Sequence, residues 1–197
     1  MFKAILLCRP RTYLKVLLTG LVLIGCLASV QATIVRYLEV EELAQLSTDV
    51  IHGQVLSTRT YWDEGHTRIY TAIRVQVNEV FKGAAKRGGI VTITQLGGEI
   101  DGMRLDYNGR PQFSNGEAVV LFTKTGRNQD LIVVGLKQGK LRVVGDDVVR
   151  DFSGLTVLGD KAVAAQGAGK GATVRSTPAR IQTKMTMNEL RQRLAKL

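Results

Sequence analysis

The residues best suited to bind a ligand are four ring side chains near one predicted hairpin. They are Tyr61, Trp62, His66 and Tyr70. The first two precede a charged turn sequence at residues 63–66, and Tyr70 follows that turn on the polar face of the next strand. Flat aromatic faces beside such a loop can stack on sugar rings or on nucleic-acid bases. Rings at this spacing also close the end of a β fold, so both interpretations stay open.

Metal and nucleophile chemistry have little support in this sequence. Its two histidines, His52 in the first predicted strand and His66 at the hairpin tip, are too far apart along an extended chain to share a metal ion or a triad. Carboxylates and His66 do meet at residues 63–66, but charged turn residues in water explain them more simply. Ser114 and Ser153 lie in turn sequences without a Gly-x-Ser-x-Gly motif. We therefore predict no catalytic nucleophile, no metal site and no cofactor.

Carboxylates offer the one enzymatic alternative. Glu99, Asp101 and Asp106 share a long connection between predicted strands. Two carboxyl groups at a suitable separation can hydrolyse a glycosidic bond. The alternative function is therefore a secreted hydrolase that uses loop carboxylates on a cell-wall or glycan substrate. Because loop acids are mostly solvated charges, the preferred prediction is a non-enzymatic binding or adaptor domain of unknown ligand.

The N-terminal segment predicts export. Residues 1–15 carry four basic and no acidic side chains, and residues 16–28 are almost wholly apolar. This order is typical of a secretory signal peptide, and the apolar stretch is shorter than the ~20 residues of a membrane-spanning helix. Small or β-branched residues predict cleavage between Ala32 and Thr33. The alternative is a lipobox that ends at Cys26, whose lipid would anchor the chain.

Removal of residues 1–32 changes both the cysteine count and the charge. Cys8 and Cys26 are the only cysteines, so a chain cut after Ala32 has no disulfide and no thiol. The whole chain has a net charge of +10, but four basic residues lie in the leader. Residues 161–197 hold eight more, against one acidic residue. The remaining body is nearly neutral, which argues against nucleic-acid binding.

The predicted location and partners follow from export and from this charge distribution. The protein is expected to be secreted or periplasmic, with a lipid-anchored form as the alternative. Its partner would be an unidentified envelope protein or a glycan. The basic tail at residues 161–197 would contact an anionic surface. No transmembrane segment is expected after the signal is removed.

Apolar alternation and turn residues divide the body mainly into strands. Residues 38–48 predict a short helix with an acidic first turn. Strands are expected at residues 50–60, 69–81, 90–96, 118–122, 131–134 and 141–144, with short additions at 148–152 and 155–158. The alternation slips at Glu79, which predicts a β-bulge. Residues 97–116 are dense in turn dipeptides and predict an irregular connection.

The chain thus divides into four predicted segments. These are a signal peptide at residues 1–32, a β domain at 33–160, a flexible basic linker at 161–185 and an amphipathic helix at 186–197. The linker is low in complexity and rich in glycine and alanine. The helix begins with Thr186-x-x-Glu189, a capping-box pattern, and its leucines fall on one face.

Five or six strands, one of them bulged, with a long connection before the fourth, predict a mainly β fold. The expected architecture is a small closed Greek-key barrel of the oligonucleotide/oligosaccharide-binding (OB) type, with a short N-terminal helix and a C-terminal helix. Between Leu43 and Val144 the chain resembles the netrin-like module of tissue inhibitors of metalloproteinases and of complement C-terminal domains. The matching segments are LAQLSTDVIHGQV, IYTAIRVQVNEVFKG with its Lys82-Gly83 corner, VTITQLG and GEAVVLF.

This resemblance implies a bulged barrel flanked by a helix, an architecture also found in a family of secreted bacterial proteins. It does not imply an activity. The inhibitors chelate the protease zinc through an N-terminal cysteine and are held by disulfides. Here the expected N-terminus is Thr33 and both cysteines lie in the leader. Metalloproteinase inhibition is therefore not predicted.

Overall fold

Twelve strands and two α-helices form the part of the chain described by the computed structural model, which covers residues 33–126, 130–153, 155–158 and 182–197. The predicted leader at 1–32, with Cys26 and Ala32, lies outside these residues, and so does most of the predicted linker. Within the described residues, no helix has the length and apolar character needed to cross a membrane.

Strands account for most of the elements along the described residues. In order they are β1 (Thr33–Arg36), α1 (Val40–Leu46), β2 (Asp49–Trp62), β3 (Ile69–Lys82), β4 (Ile90–Leu96), β5 (Gly98–Ile100), β6 (Met103–Leu105), β7 (Ala118–Thr125), β8 (Leu131–Val133), a 3₁₀ turn (Leu136–Gly139), β9 (Lys140–Val144), β10 (Asp147–Arg150), β11 (Leu155–Leu158), β12 (Lys184–Thr186) and α2 (Met187–Leu194). The predicted mainly β fold is confirmed, as is the helix at the start of the domain.

Eight of these strands form one large sheet. Their order is β12-β10-β9-β7-β2-β3-β4-β8, and β8 also pairs with β7, so β7, β2, β3, β4 and β8 make a ring. The weakest contact in this ring is the parallel pair β4–β8, which matches only Ile93 with Leu131. Strands β1 and β11 form a separate parallel pair, and β5 and β6 form a separate hairpin.

Strand β7 contributes to both hydrophobic clusters of the core. Val120 and Phe122 pack in a cluster that includes residues of both helices, β9 and β10. Val119 and Leu121 pack in a second cluster with residues of β2, β3 and β4. Because successive side chains of a strand point to opposite faces, a strand between two clusters must be apolar throughout. This explains the continuously apolar sequence of β7 and confirms its prediction as a strand buried on both faces.

The predicted bulge in β3 is confirmed. His52 pairs with Glu79 and Gly53 pairs with Val77, so Asn78 between them has no partner on β2. Gly53 lies at this irregularity, where a Cβ atom would overlap the carbonyl oxygen of Gln76. The absence of a side chain at residue 53 therefore lets the two backbones approach closely.

The Lys82-Gly83 corner joins three elements. The Lys82 ammonium donates to the carbonyl oxygens of Ala44 (2.7 Å) and Ser47 (2.8 Å), at the C-terminal end of α1. A cation there satisfies helix carbonyls that have no partner within the helix. Gly83 has φ +102°, and a Cβ atom at this position would overlap the Asp49 carboxylate. The Lys82 side chain and the bare Gly83 backbone thus tie the end of α1 to the start of β2 and the end of β3.

Two expectations are corrected by the structure. Residues 97–116 are not wholly irregular, because they contain the β5–β6 hairpin. Its turn is Asp101-Gly102, with φ +53° and +73°. Asp-Gly is a favoured sequence for such two-residue turns, so this dipeptide was the overlooked signal. The predicted linker ends too late, because Lys184 and Met185 belong to β12, which pairs with β10. The cap at Thr186 is confirmed by the Glu189 N–H bond to its hydroxyl oxygen (3.1 Å).

The Gly83 contact predicts the effect of adding one methyl group. We expect Gly83→Ala to lower the free energy of unfolding by more than about 2 kcal/mol, because it adds left-handed strain and a clash with Asp49. Gly102→Ala is the matched control: its φ is also positive, but no atom lies within 4 Å of the new Cβ. It should lose only about 1 kcal/mol. Urea unfolding of both variants measures the difference, and equal losses would contradict the role given to the corner.

Candidate functional site

The four ring side chains predicted as a site are brought together at the end of the β2–β3 hairpin, as two pairs. Tyr61 and Tyr70 are directly opposite each other in the ladder, with ring centroids 6.0 Å apart and an interplanar angle of 26°. Trp62 stacks on His66, with centroids 5.9 Å apart and an angle of 18°.

Trp62 is held in place by the β5–β6 hairpin. Its indole N–H donates to the Asp101 carboxylate over 3.0 Å. The hairpin lies close to β2 and β3 because Gly98 has no side chain: a Cβ there would lie 2.6 Å from the Thr60 methyl and 2.7 Å from the Thr71 hydroxyl. The conformation of the loop at residues 97–105 therefore decides the orientation of Trp62.

The loop between β2 and β3 is organised by Asp63. Its carboxylate accepts hydrogen bonds from the Thr67 N–H (2.7 Å), the Arg68 N–H (3.0 Å) and the Thr67 hydroxyl (2.8 Å). The bond from the Arg68 backbone is the largest of the effects that hold the pKa of Asp63 below its usual value. Asp63 therefore shapes the turn that carries His66. Across the described residues no group of three or more side chains is arranged to hold a metal ion.

A groove of about 1120 Å³ lies against these rings. It is found where β4 and β8 separate beyond their single residue pair, Ile93 with Leu131. Its walls, in chain order, are formed by residues 61–65, Tyr70, residues 94–96, Tyr107, Pro111, Gly126, Asp130, Ile132, Val133 and Leu136. His66 does not line the groove itself but stacks on the lining residue Trp62. We call this feature the aromatic groove.

Among the lining residues that the sequence did not mark as candidates, Gln95 and Tyr107 carry polar groups. Gln95 donates through its amide nitrogen to the Pro111 carbonyl (3.1 Å), whereas its amide oxygen is buried without a hydrogen-bond partner. In sequence, Tyr107 lies between Asp106 and Arg110. The side chains of these two residues form an ion pair with a separation of 3.0 Å. Burial raises the pKa of Tyr107, so its hydroxyl stays a hydrogen-bond donor. No local pattern marks either residue, because both reach the groove only through long-range packing.

The carboxylates of the hydrolase alternative each have a partner on another side chain. Asp106 bonds to Arg110 (3.0 Å) and Arg104 (3.2 Å), and Glu99 lies 3.9 Å from Arg104. Burial alone would raise the pKa of Asp106, but these arginines hold it below its usual value. A general acid at neutral pH needs a raised pKa, so this geometry does not favour acid catalysis. The third candidate, Asp101, accepts the bond from Trp62.

The two histidines occupy different neighbourhoods. His52 lies ten residues before Trp62 on β2, where its Nδ1 atom is 3.9 Å from the Glu79 carboxylate. Burial lowers the pKa of His52 and outweighs the opposite effect of Glu79. His66, in contrast, stacks on Trp62 in the loop. Each of the two histidines therefore has its own partners.

The basic tail is partly neutralised by ion pairs. Arg193 bonds to the Glu41 carboxylate through two nitrogens (2.6 and 2.5 Å), Arg191 bonds to Glu79 (2.9 Å), and Lys184 pairs with Asp147 (2.8 Å). Met185, Met187 and Leu190 are buried against the core beside α1. The C-terminal segment at residues 184–197 is thus a docked part of the domain. The other basic residues predicted to contact an anionic surface lie mostly at 161–181, outside the described residues.

Neither a protein-family model nor a curated protein sequence matches the chain.

The bond between Trp62 and Asp101 can be tested by fluorescence, because Trp62 is the only tryptophan of the chain. We expect Asp101→Gly, which tolerates the positive φ but removes the acceptor, to free the indole and increase its quenching by acrylamide. Glu99→Ala on the same hairpin is the control and should leave quenching unchanged. If both variants quench like the unsubstituted protein, Asp101 does not hold Trp62.

The Glu41–Arg193 pair predicts a pH dependence of stability. The Arg193 hydrogen bonds hold the folded pKa of Glu41 below its usual value of 4.5. The carboxylate therefore stabilises the fold above about pH 4.5, and this contribution is lost as the pH falls through the lower folded pKa. Glu41→Gln should be less stable than the unsubstituted protein at pH 7 and nearly equal to it at acidic pH, as measured by urea unfolding. Glu64→Gln, in an exposed loop, should show no such convergence.

Proposed function

We propose that this chain is an exported, non-enzymatic binding or adaptor domain that contacts its ligand through the aromatic groove. The observation that carries the proposal is the wall of this groove, which includes the four aromatic residues Tyr61, Trp62, Tyr70 and Tyr107. Binding sites typically combine apolar and aromatic walls with a few polar groups, here Thr94 and Gln95. The rigid β2–β3 ladder carries two of these rings directly opposite each other.

We also infer that the ring of five strands is a small closed Greek-key barrel of the OB type. Its antiparallel pairs, its bulged β3 strand and the flanking α1 support this architecture. The proposed resemblance to the netrin-like module rests on the matching sequence segments, among them the Lys82-Gly83 corner. In such a barrel the loop between the first two ring strands is a common contact region for ligands. Residues 63–68 form that loop here.

Export is proposed from the N-terminal sequence, with cleavage at Ala32 and a lipid on Cys26 as the alternative. The partner would accordingly be an envelope protein or a glycan in the periplasm or outside the cell. The hydrolase alternative draws no support from the geometry, because Glu99 and Asp106 lie beside arginines and Asp101 is bonded to Trp62. If the basic tail contacts an anionic surface, basic residues such as Lys170 and Arg175 would make that contact.

Site-directed photocrosslinking in the producing cells tests this proposal. A photoreactive amino acid in place of Glu64, at the rim of the groove, should give a covalent adduct with a partner molecule. The same amino acid in place of Asp146, an exposed residue that does not line the groove, should give none. Combining the Glu64 probe with Tyr61→Leu and Tyr70→Leu should abolish the adduct while urea unfolding still shows a folded domain.

Two results would contradict the assignment of the groove. One is the same adduct from both probe positions. The other is an adduct at residue 64 that survives the loss of both tyrosine rings.

A further inference from the structure

The stacked rings of Tyr61 and Tyr70 lie on one wall of the groove. The two rings are 26° from parallel, and both side chains are only partly buried. Within the described residues neither phenol hydroxyl has a hydrogen-bond partner. Aromatic faces carry negative partial charge and attract the positive hydrogens at the edge of another group. The axial C–H groups of a pyranose ring present such hydrogens on a flat face, while its hydroxyl groups at the rim could bond to the phenols.

One polar side chain near the end of β4 lacks a hydrogen-bond donor. The amide oxygen of Gln95 is buried without a partner, and the bond from its nitrogen to Pro111 determines which way the amide faces. Native structures seldom leave such an acceptor unpaired, which makes a ligand donor or a bridging water the expected partner. The hydroxyl groups of a sugar supply neutral donors of this kind. Thr94 and Tyr107, beside Gln95 in the groove, add two hydroxyl groups that both donate and accept.

The size of the groove favours a chain of units over a single small molecule. Its volume of about 1120 Å³ is larger than most small-molecule pockets, which span ~300–1,000 Å³. It extends from the hairpin loop, past the end of β4, to Ile132 and Val133 of β8. A short oligomer of stacked rings can follow this path.

The charges of the lining disfavour anionic ligands. Among the described lining residues, Asp63, Glu64 and Asp130 carry carboxylates and none is a lysine or arginine. Nucleic acids depend on basic residues that neutralise their phosphates. Uronic acid chains and phosphorylated polymers are also negatively charged, so the three carboxylates of the lining would repel them. Among the described residues, the positive charge of the chain therefore does not extend to the walls of this groove.

We propose that the aromatic groove binds an uncharged oligosaccharide, with one sugar ring packed on Tyr61 and Tyr70 and a hydroxyl or amide donor directed to Gln95. This inference rests on the proposed binding function and names the ligand class for the same site. Sequence alone allowed either sugar or base on these rings. The unpartnered amide and the carboxylate-bearing lining favour the sugar.

Isothermal titration of the full chain with defined probes tests the ligand class, and Trp62 fluorescence gives a second readout. Chitohexaose and cellohexaose are the neutral probes, hexagalacturonate is the anionic glycan and hexathymidylate is the nucleic acid. We expect at least one neutral hexaose to bind, with an affinity that hardly changes with salt. Hexagalacturonate and hexathymidylate should bind about tenfold more weakly or not at all. Stronger binding of either anion, with a steep salt dependence, would overturn the inference.

Substitutions at residue 70 locate the bound sugar. Tyr70→Leu should weaken binding of the neutral hexaose about tenfold, because the stacking face is lost. Tyr70→Phe keeps the ring and should lose less. Ile90→Ala, an exposed position on β4 that does not line the groove, is the control and should bind like the unsubstituted protein. Equal affinities of all four proteins would overturn the placement of the sugar on the Tyr61–Tyr70 pair.

The glycan inference and the proposed function can fail separately. If no neutral hexaose binds but the photocrosslinked adduct at residue 64 still depends on Tyr61 and Tyr70, the ligand class is wrong and the binding function stands. If neither the hexaoses nor the adduct depends on the tyrosines, both are wrong.

Discussion

The rest of the structure depends on the hydrogen bonds that the Lys82 ammonium donates. The ammonium bonds to two carbonyl oxygens at the end of α1, and Gly83 beside it leaves room for the Asp49 carboxylate. Asp49 in turn accepts the Ala84 N–H over 2.9 Å. These bonds hold the start of β2 and the end of β3 together at the base of a hairpin whose strands each have 14 residues. The helix is thereby fixed over one core cluster, and the opposite end of the hairpin carries the site.

The long hairpin connects the core to the aromatic groove. Near its base, Val50, Ile51 and Val77 are buried, whereas at its tip Tyr61 and Tyr70 are only partly covered. Bulges near Asn78 bend the strands, so that one hairpin contributes both to the core and to the aromatic groove. The groove itself exists because β4 and β8 share a single residue pair and then diverge. A longer ladder between these two strands would close the gap that the ligand is proposed to occupy.

Charged side chains near the C-terminus form ion pairs with the rest of the domain. Arg191 and Arg193 join the C-terminal helix to Glu79 and Glu41, which belong to β3 and α1. Their charges are thus balanced within the domain, and the surface beside Tyr61 and Trp62 carries Asp63 and Glu64 instead. A basic net charge is therefore a poor guide to the ligand of this protein. The partners of each charged group decide what a surface can attract.

The sequence by itself determined most of the secondary structure and the position of the ring side chains. Alternation located β2, β3 and β4, the slip at Glu79 located the bulge, and Thr186 marked the start of α2, because these signals depend on neighbouring residues. The short strands β1 and β12 form only against distant partners, so their own residues gave no comparable signal. Tertiary structure alone decided that Gln95 and Tyr107 line the same groove as Tyr61 and Tyr70, and that Asp106 and Arg193 are ion-paired. Pairing between strands far apart in the chain created the groove, and no local pattern encodes that pairing.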